Sequence, residues 1–505
     1  MAAIPNFSIR DRSVWPLMAG LVVAQAIATL FVRRSNLDLR RGIAAIDAAG
    51  WLSVPAGPAV DTLDGWGPAL GGGLFFTLSI GIGLALATWA ILYLWQRFFP
   101  SRRALLWLPA GCWLALVVAV NASGWVLFPT LFVVGVPLAT ALAAIQAAPV
   151  ASAGRAGKLW PVPLLSLLLL TGVWATQWNQ QLFVTIRDHL LLSNTFGRSV
   201  NDFYYRYTLH AAECFKSFGQ KTVRTGRWDA PADADSARRW TRALAEQDVV
   251  MIPGLQPADV TVRASGGGRL TLASPAGDRL EVSPADFLAD PNRWLRRFSE
   301  AGDRYAPFRR FTFVGLLLGF PILLYVVVDG AIGRLAGLFM RAPGLIWMRA
   351  AICLAIGLLL FIPMLAGRTN PLTPGNLGAA LAADPWPQRV AALRQIEKGR
   401  VDLAVYPQYR TLLTSPLVVE RYWVARALTH SRDGATRNDL LALIRDSNPN
   451  VVCQAYYALG ERGDRSAVTS MRERMLQSDH WYTQWYAYRA MRRLGWHQTP
   501  SESVP

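Results

Sequence analysis

Charged side chains are scarce in this chain: Asp, Glu, Lys and Arg make up 17% of its 505 residues, against about 25% in soluble globular proteins. That deficit points to a membrane protein. Lysine is nearly missing. Lys158, Lys216, Lys221 and Lys398 are the only four, so the formal net charge of +18 comes mostly from arginine. The basic residues form no concentrated stripe in either polar part of the chain, and a nucleic-acid footprint needs such clustering. Nucleic acid is therefore excluded as a partner.

Cysteine is equally sparse, with Cys112, Cys214, Cys353 and Cys453. No C-x-x-C or Cys/His ligand spacing occurs, so neither a metal site nor a disulfide framework is indicated. A bridge between Cys214 and Cys453, which lie in the two polar parts, stays open. A phosphate cradle is missing too. The glycines at 266–268 match neither G-x-G-x-x-G nor a P-loop and open no helix. They read as a hairpin turn, where glycine supplies the positive φ. No cofactor is expected.

Long apolar runs dominate what is present. About 20 residues of helix cross a ~30 Å hydrocarbon core, and seven segments qualify: 14–32, 73–95, 104–121, 124–146, 160–178, 311–331 and 345–367. The first ends in Arg33–Arg34, not in small residues, so it reads as an anchor and not a cleaved signal. Asp329 is the one acidic residue near a span and reads as a helix-end residue beside Arg334. No buried charge is expected in the spans, which argues against a pump or ion-coupled transporter.

Basic loops orient the helices. With the N-terminus in the cytoplasm, Arg10, Arg12, Arg97, Arg102, Arg103, Arg155, Lys158, Arg334 and Arg341 fall inside. Arg33, Arg34, Arg40, Arg41 and Arg368 dissent, mostly within RRSNLDLRR. The expectation is a multi-pass protein of a bacterial inner membrane, with both polar parts periplasmic and membrane lipids as partners. A miscount by one span would move the C-terminal part to the cytoplasm.

The expected fold class is a polytopic α-helical membrane protein of about seven spans, with a small α+β extramembrane domain and a C-terminal α-solenoid. The expected order is a five-span bundle (1–178), the α+β domain (179–310), two further spans (311–368), a linker (369–383), helical repeats (384–498) and a disordered tail (499–505). Within the α+β domain, 181–220 and SARRWTRALAEQ look helical. DVVMIPG, DVTVRASGGGRLTLAS and GDRLEVS read as strands, and PADFLADPNRWLRRFSEAG returns to helix.

The stretch NDFYYRYTLHAAECFKSFGQK (201–221) places His210, Glu213, Cys214 and Lys216 within seven positions. As a helix capped by Ser199 or Asn201, it puts Phe203, Tyr207, His210, Ala211, Cys214 and Phe218 on one stripe. As chemistry, His210 and Glu213 would act as acid/base and Cys214 as nucleophile, with Arg206 or Lys216 meeting phosphate. As architecture, Cys214 is a small buried hydrophobe and His210 a packed or interfacial residue. The architectural reading is preferred: a metal shared by His210 and Cys214 would need further ligands, and no histidine, cysteine or carboxylate cluster elsewhere supplies them at diagnostic spacing.

Internal repetition is the strongest signal. Ala427–Leu428, Ala458–Leu459 and Ala490–Met491 recur at intervals of 31 and 32 residues. Each unit opens on an Asp/Asn/Pro turn and runs an alanine-bearing helix, a Gly or Asp turn and a second helix. A weaker copy begins at DPWPQRVAALRQIEKG. The pattern of DSNPNVVCQAYYALGERGDRSAV resembles the short HEAT-like repeats of the phycobilisome-lyase type, over about 384–496. That resemblance implies a helical scaffold. It does not select among docking platform, adaptor and lyase. The aromatics Trp423, Tyr456, Tyr457, Trp481, Tyr482, Trp485 and Tyr486 are expected mostly in the inter-repeat core. Trp423, Tyr456, Tyr457, Trp481 and Trp485 are also the candidates for a binding face.

Three functions compete. The first is a non-enzymatic scaffold that binds protein partners of an envelope assembly through the extramembrane domain and the repeats. The second is a membrane enzyme acting on a lipid-linked or glycan substrate. The third is a transport or flippase subunit.

Overall fold

The structure, a computed structural model, describes residues 15–99, 101–146, 161–178, 181–230, 234–254, 257–265, 269–337, 344–366 and 372–498. The glycine turn at 266–268 and the tail at 499–505 lie outside the described residues. The chain forms two compact units. One comprises residues 1–34, 66–179 and 303–361, the other 35–65, 180–302 and 362–505.

The first unit is helical. Among the described residues six helices are long and apolar enough to cross a membrane: Trp15–Ala48, Trp66–Gln96, Arg103–Val120, Leu127–Gln146, Ala306–Ala336 and Gly344–Ile362. Where the fifth span was expected, at 160–178, the structure has a shorter apolar helix, Val162–Thr176. Small residues let the helices approach closely. A Cβ on Gly315 would lie 2.7 Å from the Ser79 carbonyl oxygen, where two π-helical turns, Thr77–Gly81 and Gly315–Gly319, meet. A phenylalanine cluster fills the centre: Phe128 stacks on Phe31 at 4.0 Å and meets Phe76 and Phe308 at 5.3 and 5.5 Å. Asp329 pairs with Arg349 on the next helix (Oδ1 to Nε 3.1 Å), not with Arg334 as its sequence proximity suggested. The apolar run around Arg349 concealed the partner.

The second unit is built from three chain segments. A five-stranded sheet has the order β2-β1-β3-β4-β5, with β1 Arg224–Ala230, β2 Val249–Met251, β3 Val260–Ser265, β4 Arg269–Ala273 and β5 Arg279–Val282. β1 runs parallel to both neighbours, and β3–β4–β5 form an antiparallel meander. The sequence pattern located every strand except β1. RTGRWDA lacks an apolar alternation because its neighbours, not its composition, hold it in the sheet. The helix Ala234–Ala245 makes the crossover to β2.

Residues 181–220 are not one helix. A short helix, Leu182–Ile186, passes into a π-helical turn, Arg187–Leu191, and a new helix, Thr195–Glu213, begins after it. Asn194 caps that helix by accepting from the Gly197 amide at 2.7 Å. Ser199 and Asn201, expected as caps, sit inside it.

The C-terminal helices are Trp386–Lys398, Val418–Ala427, Ala435–Leu443, Pro449–Arg462, Val468–Gln477 and Trp481–Arg493. The repeating alanines are buried, with Ala427 and Ala458 at 0% and Ala490 at 3% exposure. A Cβ on Gly460 would be 3.1 Å from the Ala490 Cα, which shows how closely the last two alanine-bearing helices pack. Ion pairs tie successive units: Arg389 to Glu420 at 2.6 Å, Arg421 to Asp446 at 2.7 Å and Arg426 to Glu397 at 2.9 Å. The sheet docks on the last repeat, where Tyr488 donates to Asp248 at 2.5 Å. Residues 35–65 join there as well, since Gln484 exchanges hydrogen bonds with both backbone groups of Ala56 at 2.8 and 2.9 Å.

Candidate functional site

The residues singled out in 201–221 and those singled out in the repeats meet each other. The segment 181–216 runs along the first helices of the array, from the earliest repeat to the last. At one end Gln181 accepts from Arg394, and the His189 ring lies 5.1 Å from Trp386. Next, the Arg187 guanidinium stacks 3.9 Å over Tyr422 and donates to its hydroxyl at 2.5 Å. Asp188, fully buried, pairs with Arg187 at 2.7 Å and accepts from the Trp423 indole at 2.8 Å. Further along, Asn450 donates to Asn201 at 3.2 Å and Tyr205 packs on Tyr482 at 4.7 Å. At the far end Trp481 receives His210 edge-on at 5.4 Å and the Lys216 ammonium at 5.6 Å.

This packing decides what the reactive side chains can do. His210 is 1% exposed, and its Nδ1 lies 3.3 Å from Asn36. Burial, helped by the charge of Arg206, pushes its pKa down to about 4, so the ring is neutral at physiological pH. The Cys214 thiol donates to the backbone carbonyl of His210 at 3.4 Å, not to its ring. Burial pushes that thiol up to about 12, which keeps it protonated and a poor nucleophile. Glu213 is held by Lys216 at 2.8 Å, with both side chains largely buried. Of the expected stripe, His210, Ala211 and Cys214 are buried and Phe203 is exposed; Gly197, Asn201 and Leu209 are buried as well.

Cys214 and Cys453 are both free and buried, so the disulfide left open by the sequence does not form. Among the described residues no group of three or more His, Cys, Asp or Glu is placed to hold a metal ion.

Of the aromatic candidates, Trp423, Tyr456 and Trp481 are buried, and Tyr457 and Trp485 are half-buried. A second pattern is legible only in three dimensions. Arg394, Arg426, Tyr457 and Arg489 recur at intervals of 32, 31 and 32 residues, one per repeat. Arg394 and Arg426 lie 5.4 and 5.7 Å from the Trp423 ring, Arg426 and Arg493 lie 5.5 and 5.4 Å from Tyr457, and Arg489 covers Trp485 at 4.6 Å. The result is a row of guanidinium groups alternating with rings, partly open to solvent. The sequence signal was present in the repeat register, but arginine is so common here that it did not stand out. Asn36, Arg187 and Asp188 gave no sequence signal at all, since their partners lie some 170 to 240 positions away.

Residues 409–492 match the family model of HEAT repeats. The C-terminal region is thus a HEAT-repeat array, a class of module that generally mediates protein interaction. No curated protein and no solved structure matches the chain.

Proposed function

We propose that this chain is a non-enzymatic, multi-pass anchor of a bacterial inner membrane, whose outer unit binds a protein partner of an envelope assembly. The observation that carries this reading is the use made of the reactive side chains. His210 packs on Trp481 of the last repeat, Glu213 is paired with Lys216, and Cys214 is buried with its thiol held protonated. The array retains an arginine–aromatic row, of the residue types favoured at binding hot spots. Its charge suits an acidic protein segment.

Seven spans with the second unit periplasmic is the topology we infer. That unit assembles from residues 35–65, 180–302 and 362–505, so those three segments share one side of the membrane. The chain must then cross an even number of times between 65 and 180. Three full-length helices lie there, and the short helix Val162–Thr176 makes the fourth crossing. Of the dissenting charges, Arg40 pairs with Asp64 at 2.5 Å and Arg41 with Asp38 at 3.0 Å within that unit.

Two experiments test this. Alkaline phosphatase fused after Pro505 is expected to be active, and a cytoplasm-dependent fluorescent protein at the same point dark; the reverse result ends the seven-span topology. A photo-crosslinking residue at Tyr457 or Arg489 is expected to capture one defined partner in cells, with none from the buried control position Met471. Loss of a cellular phenotype in a stably folded Cys214→Ala variant would instead revive an enzymatic role.

A further inference from the structure

In the first unit, a cleft of roughly 510 Å³ is lined by Asp303, Ala306, Arg309, Arg310, Phe313 and Val314. Its two ends differ in chemistry. At one end Arg309 and Asp303 form a bidentate pair, with one bond at 2.9 Å. Arg310 stands beside them, exposed, and no described side chain pairs with it. At the other end Phe313 and Val314 are 52% and 49% exposed. All but Asp303 belong to the first turns of the helix Ala306–Val314, which continues into the apolar stretch Ala306–Ala336.

We propose that this cleft holds the phosphate headgroup of an anionic phospholipid. Two guanidinium groups against one carboxylate leave a net positive charge, suited to a phosphodiester. Arginine presents several donors in a fixed fork that matches phosphate geometry. The helix start adds a favourable dipole. Phe313 and Val314, one turn further on, meet the glycerol and upper acyl chains. Free inorganic phosphate shares the first contact but has nothing to place against Phe313 and Val314, so the apolar end selects the lipid. The proposal rests on the membrane reading of the Ala306–Ala336 helix.

The test uses the full chain, delipidated in mild detergent and offered equal phosphatidylglycerol and phosphatidylcholine, with bound lipid counted by native mass spectrometry. The wild type is expected to retain phosphatidylglycerol preferentially. Arg310→Gln, a change at an exposed unpaired side chain, is expected to weaken that retention about fivefold, the effect of one basic residue near an anionic lipid surface. Arg102→Gln, which removes a charge at another helix end, is expected to leave it unchanged. Equal loss in both variants would mean diffuse attraction and overturn the site. Displacement of the lipid by excess inorganic phosphate would assign the cleft to free phosphate and overturn the lipid. Absence of any preference in the wild type overturns it outright. Carbonate extraction of cell membranes separates the two readings: release of the chain defeats the membrane assignment, and retention without lipid preference defeats only this proposal.

Discussion

Trp107 and Leu108 in the first unit are 79% and 75% exposed, whereas Asp188 and Glu420 in the second are 0% and 1% exposed. In water each would be a defect. The helix Arg103–Val120 carries its apolar side chains outward and is long and apolar enough to cross a membrane. Each buried carboxylate has its own set of donors: Asp188 the Arg187 guanidinium and the Trp423 indole, Glu420 the Arg389 guanidinium and the Ser415 hydroxyl. The first unit therefore depends on close helix approach at small residues. The second depends on specific polar pairs made between distant parts of the chain. The two should fail in different ways.

The largest effect is expected from Asp188→Ala. It leaves the Arg187 guanidinium without its carboxylate and the Trp423 indole without its acceptor, a loss of about 3–5 kcal/mol. Thermal unfolding of the detergent-solubilised chain should shift down, and proteolysis should open near 181–216 while the apolar helices stay protected. An unchanged melting profile would mean the pair does not hold the segment to the repeats.

Acid comes next, and its sign follows from the buried histidines. The folded pKa of His210 is depressed to about 4 and the unfolded value is about 6.5. The unfolded chain therefore takes up the proton first as pH falls. Stability is complete above about pH 6.5 and declines from there to about pH 4, by up to ~3 kcal/mol for this group. His480, also depressed to about 4 by burial, acts in the same direction. His210→Gln should flatten the profile of the second unit. A profile as steep as the wild type would remove His210 from the account.

A smaller loss is expected in the first unit from Gly315→Ala. The added methyl would meet the Ser79 carbonyl and cost about 1–3 kcal/mol through forced separation of two helices. Gly330→Ala meets nothing within 4 Å and serves as its control. Equal melting temperatures for the two variants would mean the π-helical crossing is loose.

The smallest effect is expected from Cys214→Ala, of about 1 kcal/mol or less, since the thiol behaves as a small buried hydrophobe. In the native chain a water-soluble maleimide should leave Cys214 and Cys453 unlabelled until denaturant is added. Fast native labelling of Cys214 would contradict the burial on which the non-enzymatic reading stands.

The sequence by itself determined the features written in local periodicity. Runs of about 20 apolar residues locate the helices of the first unit, because length and hydropathy are properties of a continuous segment. The 31–32-residue recurrence of Ala427, Ala458 and Ala490 marks the repeats, because each unit must present a small residue to its neighbour. The tertiary structure decided everything that depends on partners far apart in the chain. It placed RTGRWDA as the strand joining both halves of the sheet. It moved the helix cap from Asn201 to Asn194, and gave Asp329 to Arg349. It also placed His210 and Cys214 in buried positions, with the thiol donating to the His210 backbone carbonyl. Their spacing favoured packing without excluding chemistry, and the partners that enclose His210, Asn36 and Trp481, come from positions 174 and 271 residues away.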